Sequence, residues 1–363
     1  MIFVMFTTRG SMDHLNIAPR ACWYLRAQLK TSKQNDWISL QPARSVNIPD
    51  ALYETGQWNF IIETDLFHGF WQRTTVFEKL SQCAFHSPFK GTFVMLRGSQ
   101  GRKNESEQLD EWLSQVLGDL IQAGKVLKLH DDIRVGGRTA GEAISNWAEV
   151  LSRFLAHNIK LHPKKTKIFP QSTPIFGFIK EGQHLKPNPH SILAIHKSPK
   201  PSTTTQLRGY LGQFKTFFKH VPNCARILES LEKFVSKFPG KNQPLIWDSA
   251  ASASFDKSKQ EIVNAANLYL PKRDDQLAVT VDWSQEGIGG TLWAILPSGH
   301  LPVGFFSQSN EPAMRKYPPC DGEASAGAAT INFFKTYLRE ALKPSIVMFD
   351  NRTVVLAAAL LAR

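Results

Sequence analysis

Cysteine is scarce in this chain, and the few present stand apart. Cys22, Cys83, Cys224 and Cys320 are spread over 363 residues with no CxxC pair and no Cys/His cluster. This excludes a disulfide framework and a thiolate zinc site, and it fits a reducing interior compartment. Long apolar runs are missing too. MIFVMF at the start and VVLAAALL near the end fall far short of the roughly 18 residues a membrane span needs. MIFVMF also lacks the basic n-region and cleavage pattern of a secretory signal. No targeting address is readable, so the expectation is a cytoplasmic protein without membrane contact. There is no internal repeat and no low-complexity tract.

What is present describes a folded protein. Hydrophobic residues make up 42% and charged residues 20% of the chain, and its length calls for two or three domains. Lys and Arg number 43 against 31 Asp and Glu, a formal charge of +12. The excess is local: residues 160–243 hold 15 Lys and Arg and 3 acids, so one quarter of the chain carries all of it. Such a block reads as a polyanion-facing surface. The plainer alternative is a solvated, lysine-rich face.

Periodicity gives a coarse organisation. The first fifty or so residues are irregular. WNFIIETDLFHGFWQ opens with a strand over Phe60 to Thr64 that ends at Asp65. NESEQLDEWLSQVLGDLIQAG places Leu109, Trp112, Leu113, Val116, Leu117, Leu120 and Ile121 at helical spacing before Gly124. KVLKL and IRVGG read as two strands of a hairpin joined at Asp131 and Asp132. The next helix sets Trp147, Val150, Leu151, Phe154 and Leu155 on one face, with Asn158 at its end. Proline-marked connectors then separate short helices, among them QLRGYLGQFKTFFKH, whose aromatics read as core, and a long helical stretch over SAASASFDKSKQEIVNAANLYL. After PKRDDQ comes a β-β-β-α-β-α order: LAVTVD, IGGTLWAIL and LPVGFFS, a helix through Ala324 to Leu338, SIVMFD, and a short helix. This is a separate α/β domain.

Two sets of acids stand out. Asp65 ends one strand, and Asp131 with Asp132 sits in a hairpin turn. Adjacent carboxylates repel by about 1 to 4 kcal/mol, depending on the local dielectric. If the strands are neighbours, three acids meet at one sheet edge, which suits hard divalent cations. Two such ions can activate a 3′-hydroxyl and stabilise a leaving oxygen in phosphoryl transfer. An ordinary polar turn is the alternative, since Asp favours turns locally. The second set, Asp282, Glu323 and Asp350, places two acids at strand ends and one near a helix start. This pattern suits metal-assisted hydrolysis of a phosphodiester.

The order of segments carries a resemblance. TDLFHGFWQ, FHSPFKGTFVMLRGSQGRKNESEQLDEWLSQVLGDLI and KLHDDI resemble the palm of a reverse transcriptase from the Pol polyprotein of LTR retrotransposons, of metazoan gypsy- or Pao-like type. KTKIFPQSTPIFGFI and TTTQLRGYLGQFKTFFKHVPN resemble the end of that palm and its thumb. VTVDWSQEGIGGTLW, LPVGFFS, CDGEASAGAATINFF and VMFDN resemble the RNase H domain that follows. The resemblance implies an α+β palm and thumb followed by an α/β RNase H-like domain, with the fingers largely missing. The implied boundaries are a partial fingers region at 1–57, palm at 58–186, basic helical thumb and connection at 187–275, and a C-terminally clipped RNase H-like domain at 276–363. It implies Mg2+ (or Mn2+) held by Asp65 and Asp131 with Asp132 as neighbour, and by Asp282, Glu323 and Asp350 in the second domain. Phe70 would lie under the incoming sugar, Gln100 and Gly101 would contact template and nucleotide, and Gly177 would lie in the hairpin holding the primer end. Partners would be an RNA/DNA primer-template, deoxynucleoside triphosphates and other Pol segments, in the cytoplasm, a virus-like particle or the nucleus.

Some positions depart from the family pattern. Leu129 stands where Tyr is common, and Arg134 where an apolar or aromatic residue is usual. No convincing match to most of the fingers appears, no protease or integrase signature flanks the region, and only thirteen residues follow Asp350. The leading expectation is an RNA-directed DNA polymerase with an RNase H-like domain. The alternative is a degenerate fragment that folds and binds nucleic acid without catalysis. A third reading is a host protein using the fold for assembly.

Overall fold

A computed structural model describes residues 35–36, 38–39, 47–75, 84–87, 91–94, 96–98, 101–238 and 240–350. The chain divides into two compact units, one from residues 1–47 and 60–170, the other from 48–59 and 171–363. Helix α1 (Ile48–Gly56) belongs to the second unit.

The first unit contains β1 (Phe60–Asp65), the short helix α2 (Gly69–Gln72), the hairpin of β2 (Ala84–Ser87) and β3 (Gly91–Val94), α3 (Glu105–Gln122), β4 (Val126–Leu129), β5 (Asp132–Gly137), α4 (Ala140–Ala156) and β6 (Lys167–Ile168). Four strands form one sheet in the order β4-β5-β1-β6. α3 has Glu105 and Glu107 in its first turn, where they favour the helix dipole, and Gly124 just beyond its end at φ +68°. Its expected apolar stripe, Leu109, Leu113, Val116, Leu117 and Leu120, is buried against Ile133, Val135, Val150 and Phe154. α4 differs from expectation. Ala143, Val150 and Phe154 face the core, whereas Leu151 is exposed and Leu155 is 84% exposed. The sequence offers two overlapping apolar stripes on this helix, and only one can lie on the sheet.

The second unit begins with β7 (Thr173–Ile175), β8 (Phe178–Glu181) and β9 (His184–Pro187). Phe176 and Gly177 make the two-residue turn between β7 and β8, both at positive φ (+50° and +84°), as a primed hairpin turn requires. α5 (Pro189–His196), α6 (Thr204–Lys215), α7 (Cys224–Ser236) and α8 (Ser249–Glu261) follow, then β10 (Leu268–Tyr269), giving the sheet order β10-β9-β8-β7. Leu207, Tyr210, Leu211, Phe214 and Phe217 are core residues, as expected of the aromatic-rich helix. The long helical stretch expected through Leu270 stops at Glu261, passes through a 3-10 turn and becomes β10. Pairing of Leu268 with Leu185, and the bond from Ala266 N–H to the His220 carbonyl (2.7 Å), override local helix propensity there.

The last part holds β11 (Gln276–Trp283), β12 (Gly287–Leu296), β13 (Gly299–Ser309), α9 (Pro319–Phe333), α10 (Lys335–Glu340) and β14 (Ile346–Met348), in the sheet order β13-β12-β11-β14. β14 lies parallel to β11 and the other pairs are antiparallel. The single helix expected over 324–338 is two helices meeting at the buried Phe334. The short helix expected after SIVMFD lies outside the described residues.

Candidate active sites

Strand register brings the first set of acids together. β1 and β5 are antiparallel with Asp65 opposite Asp132 and Glu63 opposite Arg134. Side chains alternate along a strand, so Glu63, Asp65, Asp132 and Arg134 share the sheet face opposite Ile133 and Val135, which enter the core. His130 and Asp131 form the turn between β4 and β5, with His130 at φ +52°. Asp110 on α3 pins this turn: its carboxylate accepts from Lys128 Nζ (2.9 Å) and from the His130 backbone N–H (3.1 Å). The Leu66 N–H donates to the Asp131 carbonyl (3.2 Å), fixing Asp131 beside the end of β1.

Cations answer these acids. Lys165, in a 3-10 turn at 163–165, donates to Asp65 Oδ2 at 2.5 Å. It is delivered by the preceding segment: the His162 N–H donates to the Asp65 carbonyl (2.8 Å), and the Gln72 amide holds Phe67 and Lys160 carbonyls at 2.7 Å each. The hydrogen bond to Asp65, with Asp131 and Asp132 nearby, raises the Lys165 pKa. The Asp132 carboxyl is raised by partial burial; Arg134 opposes this, the charges of Asp131 and Asp65 add to it, and Lys165 opposes it. Arg134 Nη2 lies 3.9 Å from Asp132 Oδ2, and Lys167 Nζ lies 2.6 Å from Glu63 Oε1.

The second set is assembled by close approach of a helix to a sheet. β11 and β14 run parallel with Thr280 opposite Met348. Asp282 and Asp350 therefore stand two residues further along, level at the ends of the two chains. α9 rests close on them because a Cβ at Gly322 would lie 2.2 Å from the Trp283 ring and one at Gly327 2.6 Å from the Phe349 ring. This approach sets Glu323, 5% exposed, at the acids. Its carboxyl is pushed up to about 7 by burial, then by the charge of Asp350 and a hydrogen bond with it, and by Asp282; the Trp283 backbone N–H opposes the shift. Glu323 Oε2 is buried without a hydrogen-bond partner.

As placed, no three His, Cys, Asp or Glu side chains converge on one point that could hold a metal ion, among the described residues. The donor chemistry nonetheless fits a hard divalent cation. Lys165 stands where a cation would neutralise Asp65, and a buried carboxylate oxygen without a partner marks the place at Glu323. The other expected positions are scattered by comparison. Phe70 lies in α2 and packs against the first unit's core. Gly101 has φ +90° and its carbonyl accepts from Asn35 Nδ2 (2.9 Å), while Gln100 lies outside the described residues. Gly177 is in the β7–β8 turn. Sequence reasoning missed Lys165 and Gln72, whose partners are distant in the chain, and Trp283, which shows its role only when the helix lies on it. The basic block is not one uniform face. Lys180 Nζ is buried against the Trp58 and Gly182 carbonyls, and Lys219 lies over the Phe333 and Tyr337 rings.

The chain is similar to known proteins over most of its length. A family profile for the RNase H-like domain found in reverse transcriptase matches residues 247–347, a span that includes Asp282 and Glu323. Retrovirus-related Pol polyproteins of Drosophila melanogaster transposons match most of the chain. The one from transposon 297 is 26% identical over 293 residues, 80% of this chain. The one from gypsy is 24% identical over 322 residues, 86% of this chain. The chain is a relative of the transposon Pol polyproteins. It corresponds to their reverse transcriptase and RNase H-like region, and it spans 27% and 30% of the length of these two relatives. Two solved structures share the fold. A foamy viral protease-reverse transcriptase in complex with double-stranded DNA superposes with a TM-score of 0.75 at 19% identity, covering 92% of this chain and 57% of that one. Another, in complex with an RNA/DNA hybrid, gives 0.67 at 18% identity, covering 92% and 44%. None of the described helices of this Pol relative is long and apolar enough to cross a membrane.

Proposed function

We propose that the chain is an RNA-directed DNA polymerase joined to an RNase H-like nuclease, acting on an RNA/DNA primer-template with deoxynucleoside triphosphates. The observation that carries this reading is the register pairing of Asp65 with Asp132, which sets Asp65 and the Asp131–Asp132 turn at one end of one sheet. The palm comprises this sheet with α3 and α4, and the helices from α5 to α8 form thumb and connection. Asp65 and Asp131 are the residues that hold Mg2+ (or Mn2+), with Asp132 beside them. Asp282, Glu323 and Asp350 hold it in the second site. Bound cations of this kind activate an attacking oxygen and neutralise the leaving one. The chain's residues orient and exclude. Lys165 would release Asp65 and Glu323 would have to be ionised for these acids to hold a cation, and Phe70 would sit beneath the incoming sugar. Gln100 and Gly101 contact template and nucleotide, and the Gly177 turn supports the primer end. Exposed lysines and arginines of the 160–243 block contact phosphates.

Primer extension on an RNA template with Mg2+ tests the reading. Extension that Asp131→Asn abolishes supports it. A full chain that is inert under these conditions, and unchanged by Asp131→Asn, overturns it. A second reading, binding of nucleic acid without catalysis, is favoured by the cations already seated on the acids. Steeply salt-dependent binding with no metal-dependent turnover would establish it.

A further inference from the structure

One face of the first sheet and the turns at its end carry four acids, Glu63, Asp65, Asp131 and Asp132, and three cations, Arg134, Lys165 and Lys167. The cations are not equivalent. The Lys165 and Lys167 side chains are 59% and 58% exposed on flexible stems, so an arriving ion can displace Lys165 into water. The Arg134 side chain is 8% exposed. It is fenced by strand neighbours on both sides, Leu127 on β4 and Glu63 on β1. Glu63 is itself buried and held by Lys167. Buried between these neighbours, its guanidinium has no open water to swing into and stays where it is, 3.9 Å from Asp132 Oδ2. A divalent cation entering among Asp65, Asp131 and Asp132 thus meets one positive charge that it cannot move, and the repulsion is greatest at Asp132.

We infer that Arg134 is a fixed counter-charge that withdraws Asp132 from cation binding, leaves Asp65 and Asp131 to hold the ion, and keeps the affinity of this site for divalent cations low. Arg134 is a positioning residue in this scheme, acting through Asp132. The inference rests on the polymerase reading of the site, but its consequence is visible without nucleotide or primer.

The experiment is a Mn2+ titration of the full chain, with free Mn2+ followed by electron paramagnetic resonance. All variants carry Asp282→Asn and Glu323→Gln, so that only the first site reports. Asp131→Asn should weaken binding about tenfold or more, whereas Asp132→Asn should leave it within about twofold. Arg134→Leu should tighten binding about tenfold, Arg134→Lys should not, and adding Asp132→Asn to Arg134→Leu should abolish the gain. Arg134→Leu/Glu63→Leu should retain it. Asp132→Asn alone weakening binding as much as Asp131→Asn overturns the inference, and this half-exposed position carries the test even where Arg134→Leu fails to fold. Arg134→Leu leaving affinity unchanged overturns it too, as does a gain that disappears when Glu63 is also removed. Binding shifts as expected together with absent primer extension would overturn the polymerase reading alone.

Discussion

At the end of β1 the repelling acids are answered by basic side chains, whereas at Glu323 they are answered by a proton. The first cluster sits at an open sheet edge, where Lys165 reaches Asp65 from a solvent-exposed turn and Arg134 lies beside Asp132. The second lies under a closely packed helix, where no salt bridge to Glu323 forms among the described residues, and its carboxyl is raised to about 7 by burial and by Asp350 and Asp282. The same electrostatic demand has two solutions, and access selects between them. An open site recruits a long cation, and a closed one holds hydrogen.

The comparison breaks most sharply if the two clusters do not act separately. Asp131→Asn should lower Mg2+-dependent primer extension on the order of a thousandfold while leaving cleavage of the RNA strand in a hybrid unchanged. Asp282→Asn should do the reverse. Both are read from the same purified protein with one labelled hybrid substrate, and a parallel loss of both activities from either variant would mean the sites are not independent.

The second contrast is in how each cluster is built. Gly322 lets α9 lie on Trp283, where an added Cβ would come within 2.2 Å of ring carbons, so Gly322→Ala should cost about 1–3 kcal/mol and impair RNA cleavage. At Gly69, beside the first cluster, the nearest atoms to an added Cβ are 3.3 Å and 3.5 Å away, on Leu66 and Asp131. Gly69→Ala should therefore cost less than about 1 kcal/mol in a helix of only four residues. Chemical unfolding of the two variants measures both.

These contrasts mark what could be read in advance. Asp65 and Asp282 at strand ends, and the amphipathic α3 with Gly124, are local features that fell in place; Asp350 lies two residues past β14, and Asp132 opens β5 with only His130 and Asp131 left in the turn. The shared face of Asp132 and Arg134 follows from the two-residue period of β5, so Arg134 was visible as an oddity, though not its pairing with Glu63. Lys165 meets Asp65 one hundred positions earlier in the chain, and no local pattern carries such a pair. On α4, Leu151 and Leu155 compete with Val150 and Phe154 for the same role, and only the sheet's shape decides. The conversion of residues 262–270 from helix to 3-10 turn and strand depends on a partner strand some eighty positions away. The close seat of α9 on Trp283 depends on two elements meeting, which spacing within either does not reveal.

The proton at Glu323 gives a pH signature that Lys165 lacks. The native carboxyl binds its proton more tightly than the unfolded one, so stability falls as pH rises from about 4.5 to about 7 and is flat above. Glu323→Gln cannot ionise. Its gain over the parent should be near zero at pH 4.5 and about 1–3 kcal/mol at pH 8, an upper range because Asp350 shares the proton. Saturating Mg2+ should stabilise the parent more at pH 8 than at pH 6, and the variant by the same amount at both. Thermal unfolding at three pH values decides this, and a gain in the variant that does not depend on pH would remove the proton from the account.

The smallest effect belongs to Lys165→Met. The pair with Asp65 is more than half exposed on the lysine side, and such pairs contribute about 0–1 kcal/mol. Its pKa is raised by Asp65, so whatever stability it adds is fully present below the unfolded lysine value and is lost only as pH rises beyond it. Between pH 6 and pH 8 the difference between Lys165→Met and the parent should therefore be constant, where that for Glu323→Gln changes. The methionine keeps the stem and removes the ammonium, which leaves Asp65 facing Asp131 and Asp132 unanswered. Mn2+ should then bind the first site more tightly than in the parent, but by less than in Arg134→Leu, because a mobile lysine yields to an entering ion and a buried arginine does not. Equal gains from the two variants, read in the same titration, would show that the cations at this sheet edge are interchangeable and that burial does not distinguish them.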